Sequence, residues 1–275
     1  ADRTGKREAA DSSRISPATV KRYYCVLQSL LGHACKLGLI AENPANSARI
    51  TLPRQTHEKV ETFSPEEMSQ IFSGLTQEKM KYQVIVYLAF ITGARRGELC
   101  ALKWENIHLE ADRPYIDILL SSYKLPGEEV HTKEPKSETS RRPIGIPEDA
   151  AALLVSYRRE QMEQADKMGD MWKNREGWLF TTFDGEPMDP GTVSRWWPKF
   201  LDKNSIPRRK FHAIRHTSAT IALESGGNIK AVSARLGHAQ LSTTNIYLHG
   251  TKTADAAIAD SLGGLIPAPV KKKAE

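Results

Sequence analysis

Three dipeptides, Ser16-Pro17, Ser64-Pro65 and Asp189-Pro190, each stand directly before a stretch with helical periodicity. A Ser or Asp side chain can accept the orphan N–H groups of a first turn, and proline at the first helical position presets the backbone. This punctuation constrains the chain to a succession of capped helices. After Ser16, the residues Val20, Tyr23, Leu27, Leu30, Leu31, Ala34 and Leu37 recur at three- and four-residue spacing, which predicts a helix from about 17 to 37 ending near Gly38. After Ser64, the pair Ser64 and Glu67 forms a capping box, and helices are expected over 65 to 74 and 78 to 91.

Further helices are expected over 95 to 102, 148 to 164, 190 to 203, 212 to 224 and 229 to 236. A last one, capped by Ser242, carries Tyr247. Glycines at 93, 226, 227 and 237 supply the stops. The period changes to two only where Ile116, Ile118 and Leu120 alternate with their neighbours, and again at Ile144 and Ile146 after Arg142. The fold class is therefore α+β and mainly helical, with one small antiparallel sheet. The tryptophans Trp196 and Trp197 read as core packing rather than as a stacking platform for bases.

Asn43-Pro44 through Pro53 to Glu61 has turn residues and little periodicity, so it divides a small helical piece from a larger domain. The expected organisation is a helical piece over 1–51, a linker over 52–63, a main domain over 64–262 and a tail over 263–275. Residue 1 is Ala, so the chain reads as a fragment or a processed product. A length of 275 residues suits one large or two modest domains.

Composition closes off several function classes. No apolar run approaches the ~20 residues of a membrane span. Cys25, Cys35 and Cys100 form no CxxC pair, which argues for a reducing, cytoplasmic setting and against a disulfide scaffold. No phosphate loop and no GxGxxG turn asks for a nucleotide cofactor, and Ala213 stands where a zinc HExxH helix needs Glu. No cofactor and no metal are expected. The net charge is +6, and residues 1 to 60 hold ten Lys or Arg against five acids. A second basic cluster is Lys199, Lys203, Arg208, Arg209, Lys210 and Arg215. Two such segments could form one positive surface for phosphates.

What remains is a set of polar side chains scattered along the chain. Arg95 follows the Gly93 turn, Lys136 sits on a strand or hairpin, and His212 and Arg215 lie three apart on one helix face. His238 follows Gly237, and Tyr247 comes nine residues later. Arginines fork to phosphate, histidines exchange protons near neutral pH, and a tyrosine hydroxyl can attack phosphorus. Each residue also has a structural alternative, such as an Arg95–Glu98 ion pair within a helix.

In order, these residues resemble the three signature regions of the tyrosine recombinase (phage integrase) family. Thr92-Gly93-Ala94-Arg95-Arg96-Gly97-Glu98-Leu99 is similar to the family's T-G-x-R-x-x-E-L box. Pro135-Lys136-Ser137-Glu138-Thr139-Ser140-Arg141-Arg142 resembles the hairpin that bears its lysine; Lys136 fits the Lys-x-x-x-Ser-x-Arg spacing, whereas Lys133 lies three residues earlier. His212-Ala213-Ile214-Arg215-His216, Leu236-Gly237-His238 and Ser242-Thr243-Thr244-Asn245-Ile246-Tyr247 resemble H-x-x-R-H, L-G-H and S-T-T-x-x-Y.

The resemblance spans about residues 17 to 250 and makes the first helical piece part of a core-DNA-binding domain. It implies a bacterial site-specific recombinase of a phage or other mobile element. The catalytic set it implies is Tyr247, Arg95, Lys136, His212, Arg215 and His238, with Glu98 supporting the arginines. It further implies double-stranded DNA attachment sites as substrate, contacted by Lys21, Arg22, Arg208, Arg209 and Lys210. A homotetramer on paired sites, and an excisionase or DNA-bending host factor, are the implied partners. Type IB topoisomerases and telomere resolvases use a related residue set, and a non-catalytic DNA-binding protein is the remaining alternative.

Overall fold

A computed structural model describes residues 15–46, 50–54, 60–134, 140–237 and 242–245. They fall into two compact units divided between Lys59 and Val60.

The first unit is built on helix α1, Pro17–Lys36. Ser16 accepts the Thr19 N–H at 3.2 Å, and Pro17 opens the first turn. The chain then folds back through a 3-10 turn at Pro44–Asn46. Tyr24 donates its hydroxyl to the Ala45 carbonyl, and Asn43 donates to the Gln28 carbonyl at 2.9 Å. Tyr23, Val26, Leu27 and Leu30 remain exposed, and α1 has no buried residue.

In the second unit α2 (Pro65–Leu75) starts with the expected capping box: Glu67 accepts the Ser64 N–H at 2.9 Å, and Ser64 accepts the Glu67 N–H at 3.2 Å. Helix α3 (Met80–Thr92) is apolar all round, burying Val84, Ile85, Val86, Leu88 and Ala89. A helix of that kind must sit inside the domain. It is packed by α2, by α4 (Arg96–Cys100), by α5 (Glu148–Met168) and by α7 (Ala213–Glu224). Helices α6 (Pro190–Lys203), α8 (Ile229–Leu236) and α9 (Ser242–Asn245) complete the helical set among the described residues.

Three strands, β1 (Ile107–His108), β2 (Tyr115–Ile118) and β5 (Arg142–Gly145), pair antiparallel in the order β1-β2-β5. Ile116 faces Ile144 across the β2–β5 pair, and both are buried. The expected alternation stops one step early, because the chain leaves this sheet after Ile118 and Leu120 lies in the connection. Strands β3 (Ser121–Lys124) and β4 (Val130–Lys133) then form a separate hairpin, with Ser121 opposite Lys133. Its residues are mostly polar and exposed, so no alternating apolar signal announces it.

The core centres on Trp197, Phe180, Phe200, Leu99 and Leu154, each fully buried and contributing roughly 1.5–3 kcal/mol by leaving water. Trp197 is 1% exposed, and Trp196 stacks on Tyr82 at 4.1 Å between ring centroids. Both tryptophans are packing residues. No described helix is long and apolar enough to cross a membrane.

Candidate active site

Arg95 owes its place to the turn before it. Gly93 ends α3 in the left-handed region at φ 62°, and an added Cβ there would lie 2.6 Å from a Leu236 methyl carbon. Only glycine satisfies both demands. Thr92 locks the turn, donating to the Leu88 carbonyl at 2.6 Å and accepting the Ala94 N–H at 3.1 Å. Arg95 then stands as the residue just before α4, and Glu98 reaches back to it. One Glu98 oxygen accepts the Arg95 backbone N–H at 2.9 Å, and the other accepts Arg95 Nη1 at 2.7 Å. The expected Arg95–Glu98 ion pair and the expected support of Arg95 by Glu98 are thus the same interaction.

Glu98 is 4% exposed. Burial acts to raise its carboxyl. The Arg142 charge opposes this, together with hydrogen bonds from the Arg95 backbone and from both guanidiniums. The balance holds Glu98 below the ordinary carboxylate range.

Arg215 enters from the first turn of α7 and is 2% exposed. Its Nη1 donates to the Gly93 carbonyl at 2.7 Å and its Nη2 to the Leu236 carbonyl at 2.8 Å. Helix termini leave such carbonyls without partners in their own helix, and here one fork satisfies two of them. His212, one turn earlier, is partly open to solvent and lines a groove of about 480 Å³ with Arg95, Arg96, Lys133 and Lys210. Withdrawal of its ring from bulk water, then the charges of His216, Arg215 and Arg95, push its pKa down to about 4, against the opposing pull of Glu98. The imidazole is neutral at pH 7, so it can accept a proton. The His216 ring stands nearly perpendicular to it, 4.7 Å away, and is shifted down by its own burial and by Arg215.

Two of the expected residues, Arg95 and His212, therefore line one groove from segments more than a hundred residues apart, with Glu98 behind Arg95 and with Arg215 buried behind the lining, near enough for its charge to act on His212. Lys136, His238 and Tyr247 lie outside the described residues. Lys133 ends β4 and lines the same groove, its Nζ 5.2 Å from the Tyr123 ring centroid.

The five expected DNA contacts differ in setting. Lys21 and Arg22 are exposed on α1, and Lys210 is exposed in the groove. Arg208 donates to Asp202 at 2.6 Å. Arg209 is held by Glu67 at 2.8 Å and lies 5.0 Å over the Phe63 ring, with only 20% of its side chain exposed. A run of three cations looks uniform in sequence, but the folded chain has already engaged two of them.

Sequence reasoning used Arg142 only as the end of the Lys-x-x-x-Ser-x-Arg spacing that places Lys136, and it gave Arg235 no part. Arg142 is 6% exposed and pairs with Glu98 at 3.0 Å. Arg235, half-buried, donates from Nη2 to the Ile91 carbonyl at 2.9 Å and to the Gly145 carbonyl at 3.0 Å. Nothing local in the sequence marks the partners of either.

Residues 61–254 match the model of the phage integrase family. A tyrosine recombinase XerC-like protein of Caldanaerobacter subterraneus subsp. tengcongensis is 34% identical over 247 residues, covering 85% of this chain and 63% of the relative. An integrase of Saccharopolyspora erythraea is 23% identical, with 91% and 67% covered. The ICEBs1 integrase of Bacillus subtilis is 26% identical, with 92% and 67% covered. The chain thus spans about two thirds of the length of these relatives. Among solved structures, the Tn1549 transposon integrase bound to circular intermediate DNA superimposes with a TM-score of 0.75 at 21% identity, over 90% of this chain and 80% of that one. The XerH site-specific recombinase bound to its difH substrate gives 0.64 at 19% identity, over 90% and 67%.

Proposed function

The chain belongs to the phage integrase family of tyrosine recombinases, and from that membership we propose that it breaks and rejoins DNA strands through Tyr247. The Tyr247 oxygen attacks one phosphodiester and forms a P–O bond to the 3′ side, while the bond to the 5′ oxygen breaks. The tyrosine proton passes to the neutral His212. Lys136 supplies a proton to the departing 5′ oxygen, because an arginine with a pKa above 12 donates one poorly. The 5′-hydroxyl of a partner strand then reverses these events. Phosphodiester energy is kept in the phosphotyrosyl link, so the cycle consumes no nucleotide.

Arg95 and Arg215 neutralise the non-bridging oxygens, where charge accumulates in the transition state, and His238 adds a hydrogen bond there. A free tyrosine has a pKa of about 10, so the cation-rich groove serves the nucleophile as well by favouring its anion. The observation that supports this reading is Arg95 and His212 lining one groove, with the buried Arg215 close behind them.

Double-stranded attachment sites of a phage or other mobile element are the proposed substrate. Exchange between two sites needs four cleavages, which a homotetramer on paired DNA supplies. An excisionase or a DNA-bending host factor would set direction. Residues 1–51 are assigned to core-DNA binding, 52–63 to a linker, 64–262 to catalysis and 263–275 to a tail.

The decisive experiment mixes the protein, beside a Tyr247→Phe variant, with nicked suicide DNA carrying the attachment core. A denaturation-resistant adduct that vanishes in the Phe variant is the expected result. Tight binding with no adduct, in this chain and in its full-length protein, would support a DNA-binding role without catalysis.

A further inference from the structure

The end of helix α8 is capped in an unusual way. Three consecutive carbonyls each accept a guanidinium from a different part of the chain. The Arg235 carbonyl takes Arg142 Nε at 2.6 Å, the Leu236 carbonyl takes Arg215 Nη2 at 2.8 Å, and the Gly237 carbonyl takes Arg95 Nη2 at 3.4 Å. A helix C-terminus carries unpaired acceptors and partial negative charge, so cations gather there favourably. Two of the three arginines have a role in the reaction proposed above. Arg142 has none, yet it is almost as buried as Arg215.

Its remaining bonds say what it does. Nη1 donates to the Ser140 carbonyl at 2.8 Å, at the start of the strand that follows the lysine hairpin. Nη2 donates to Glu98 at 3.0 Å, on the same carboxylate oxygen that accepts the Arg95 backbone N–H. Arg142 therefore stands behind Arg95, with Glu98 between them.

Charge arithmetic gives the arrangement its sense. Arg95 and Glu98 alone cancel, which would leave the guanidinium with little net field for a phosphate. Adding Arg142 restores one positive charge to the trio, and Arg142 and Glu98 themselves are buried, where charges act strongly. Gly237 reserves the space: a Cβ there would lie 2.7 Å from Arg142 Nη1.

We propose that Arg142 is a positioning residue for strand cleavage: it neutralises Glu98 so that Arg95 keeps its charge for the phosphate, and it ties the start of β5 to the end of α8. This rests on the cleavage reading above. Arg142 touches no reacting atom, and it acts through Glu98 and Arg95.

The test is a double-mutant cycle in the full chain, with wild type, Arg142→Met, Glu98→Gln and the double variant. Each is scored for single-turnover adduct formation on the nicked suicide DNA at saturating protein, and for affinity toward the same DNA. Arg142→Met should slow adduct formation about 100-fold, as expected when a fixed cationic support of a transition-state ligand is lost. Affinity should change by no more than a few-fold.

The double variant should recover at least about tenfold of that loss, since the neutral amide that Glu98→Gln introduces no longer draws on Arg95. A double variant as slow as Arg142→Met, or slower, would overturn the proposal. So would wild-type speed in Arg142→Met.

Arg142→Lys decides the matter if the Met variant does not fold. It keeps a cation beside Glu98 without the fork, so it should cleave within about tenfold of wild type. A folded Lys variant slowed 100-fold would refute the neutralising role. Failure of the wild type itself to form an adduct would sink the cleavage reading and this inference with it. An adduct in wild type with full activity in Arg142→Met would sink this inference alone.

Discussion

The rim of the groove and its floor, a buried layer of arginines behind the lining, carry charge of the same sign and are built in opposite ways. On the floor, Arg215 and Arg142 are 2% and 6% exposed and rest on backbone carbonyls. On the rim, Arg96 and Lys210 are exposed, and the neighbouring Arg195 leaves 68% of its side chain in water while pairing with Asp189 at 3.0 Å. Burying a guanidinium costs folding energy unless its N–H groups are satisfied, and in return it acts on a phosphate at low dielectric without rearranging. An exposed cation is cheap to fold, and salt screens it. Under the proposed reaction the floor would serve the transition state and the rim would collect DNA.

Arg215→Ala is the most severe way to probe this division. It removes the fork and leaves the Gly93 and Leu236 carbonyls short of a buried partner. Adduct formation should fall about 10²- to 10³-fold, and stability by roughly 2–4 kcal/mol, read as a drop in thermal midpoint. Arg215→Lys should restore little, because an ammonium cannot bridge two carbonyls in the same fixed geometry. An unchanged midpoint in the Ala variant would dissolve the distinction between floor and rim.

Gly237→Ala tests the floor without touching a charge. The residue sits at φ 67°, and the new Cβ would press on Arg142 Nη1 at 2.7 Å. The left-handed backbone alone costs about 1–2 kcal/mol for a side chain. A midpoint lowered by several degrees, with slower adduct formation at unchanged DNA affinity, is the expected pattern. Retained activity would show that the guanidinium stack tolerates displacement.

The contrast also explains what sequence reading can reach. The helices were legible wherever a cap and a periodic apolar stripe coincide, as at Ser64 and Asp189, and the α6 and α8 spans match their expected bounds. Arg95, His212 and Arg215 were legible as an ordered motif; the fold puts Arg95 and His212 in one groove and buries Arg215 behind it. Arg142 was legible only as the end of the lysine motif, and its burial was not, because that comes from α4 and α8, elements distant in sequence from β5. The β3–β4 hairpin was missed for a related reason: backbone pairing of polar residues leaves no periodic trace. Arg208 and Arg209, which a basic run marked for DNA contact, carry partners the run does not show, Asp202 and Glu67.

His212 lies between the two regions, and pH reads it. With a pKa of about 4 it is neutral down to about pH 5, so adduct formation through it should stay level from pH 8 to 5 and fall only near 4. A fall centred near 6.5 would mean that the ring is as solvated as a rim residue. Stability carries the matching sign. In the unfolded chain the imidazole takes its proton near 6.5, in the folded one only near 4. The unfolded state therefore binds more protons in that window, and the His212 contribution to stability is lost as pH falls from about 7 to 4. Thermal midpoints of wild type and His212→Gln across that range should converge or cross in that direction.

The smallest effect belongs to the rim, and its form matters more than its size. Lys210→Ala removes one exposed cation from the groove wall, so DNA affinity should fall only a few-fold, and by similar amounts for specific and random DNA. The slope of log affinity against log salt should flatten by about 0.9, the release of one counterion. Adduct formation at saturating protein should not change. Arg208→Ala should do still less, because its guanidinium is already engaged by Asp202, and an exposed pair of that kind is worth at most about 1 kcal/mol. A Lys210 variant that bound normally and cleaved slowly would place this lysine on the floor, against its exposure. The salt slope reads the position of Lys210 directly, because a rim cation that neutralises a DNA phosphate releases about one counterion from the DNA.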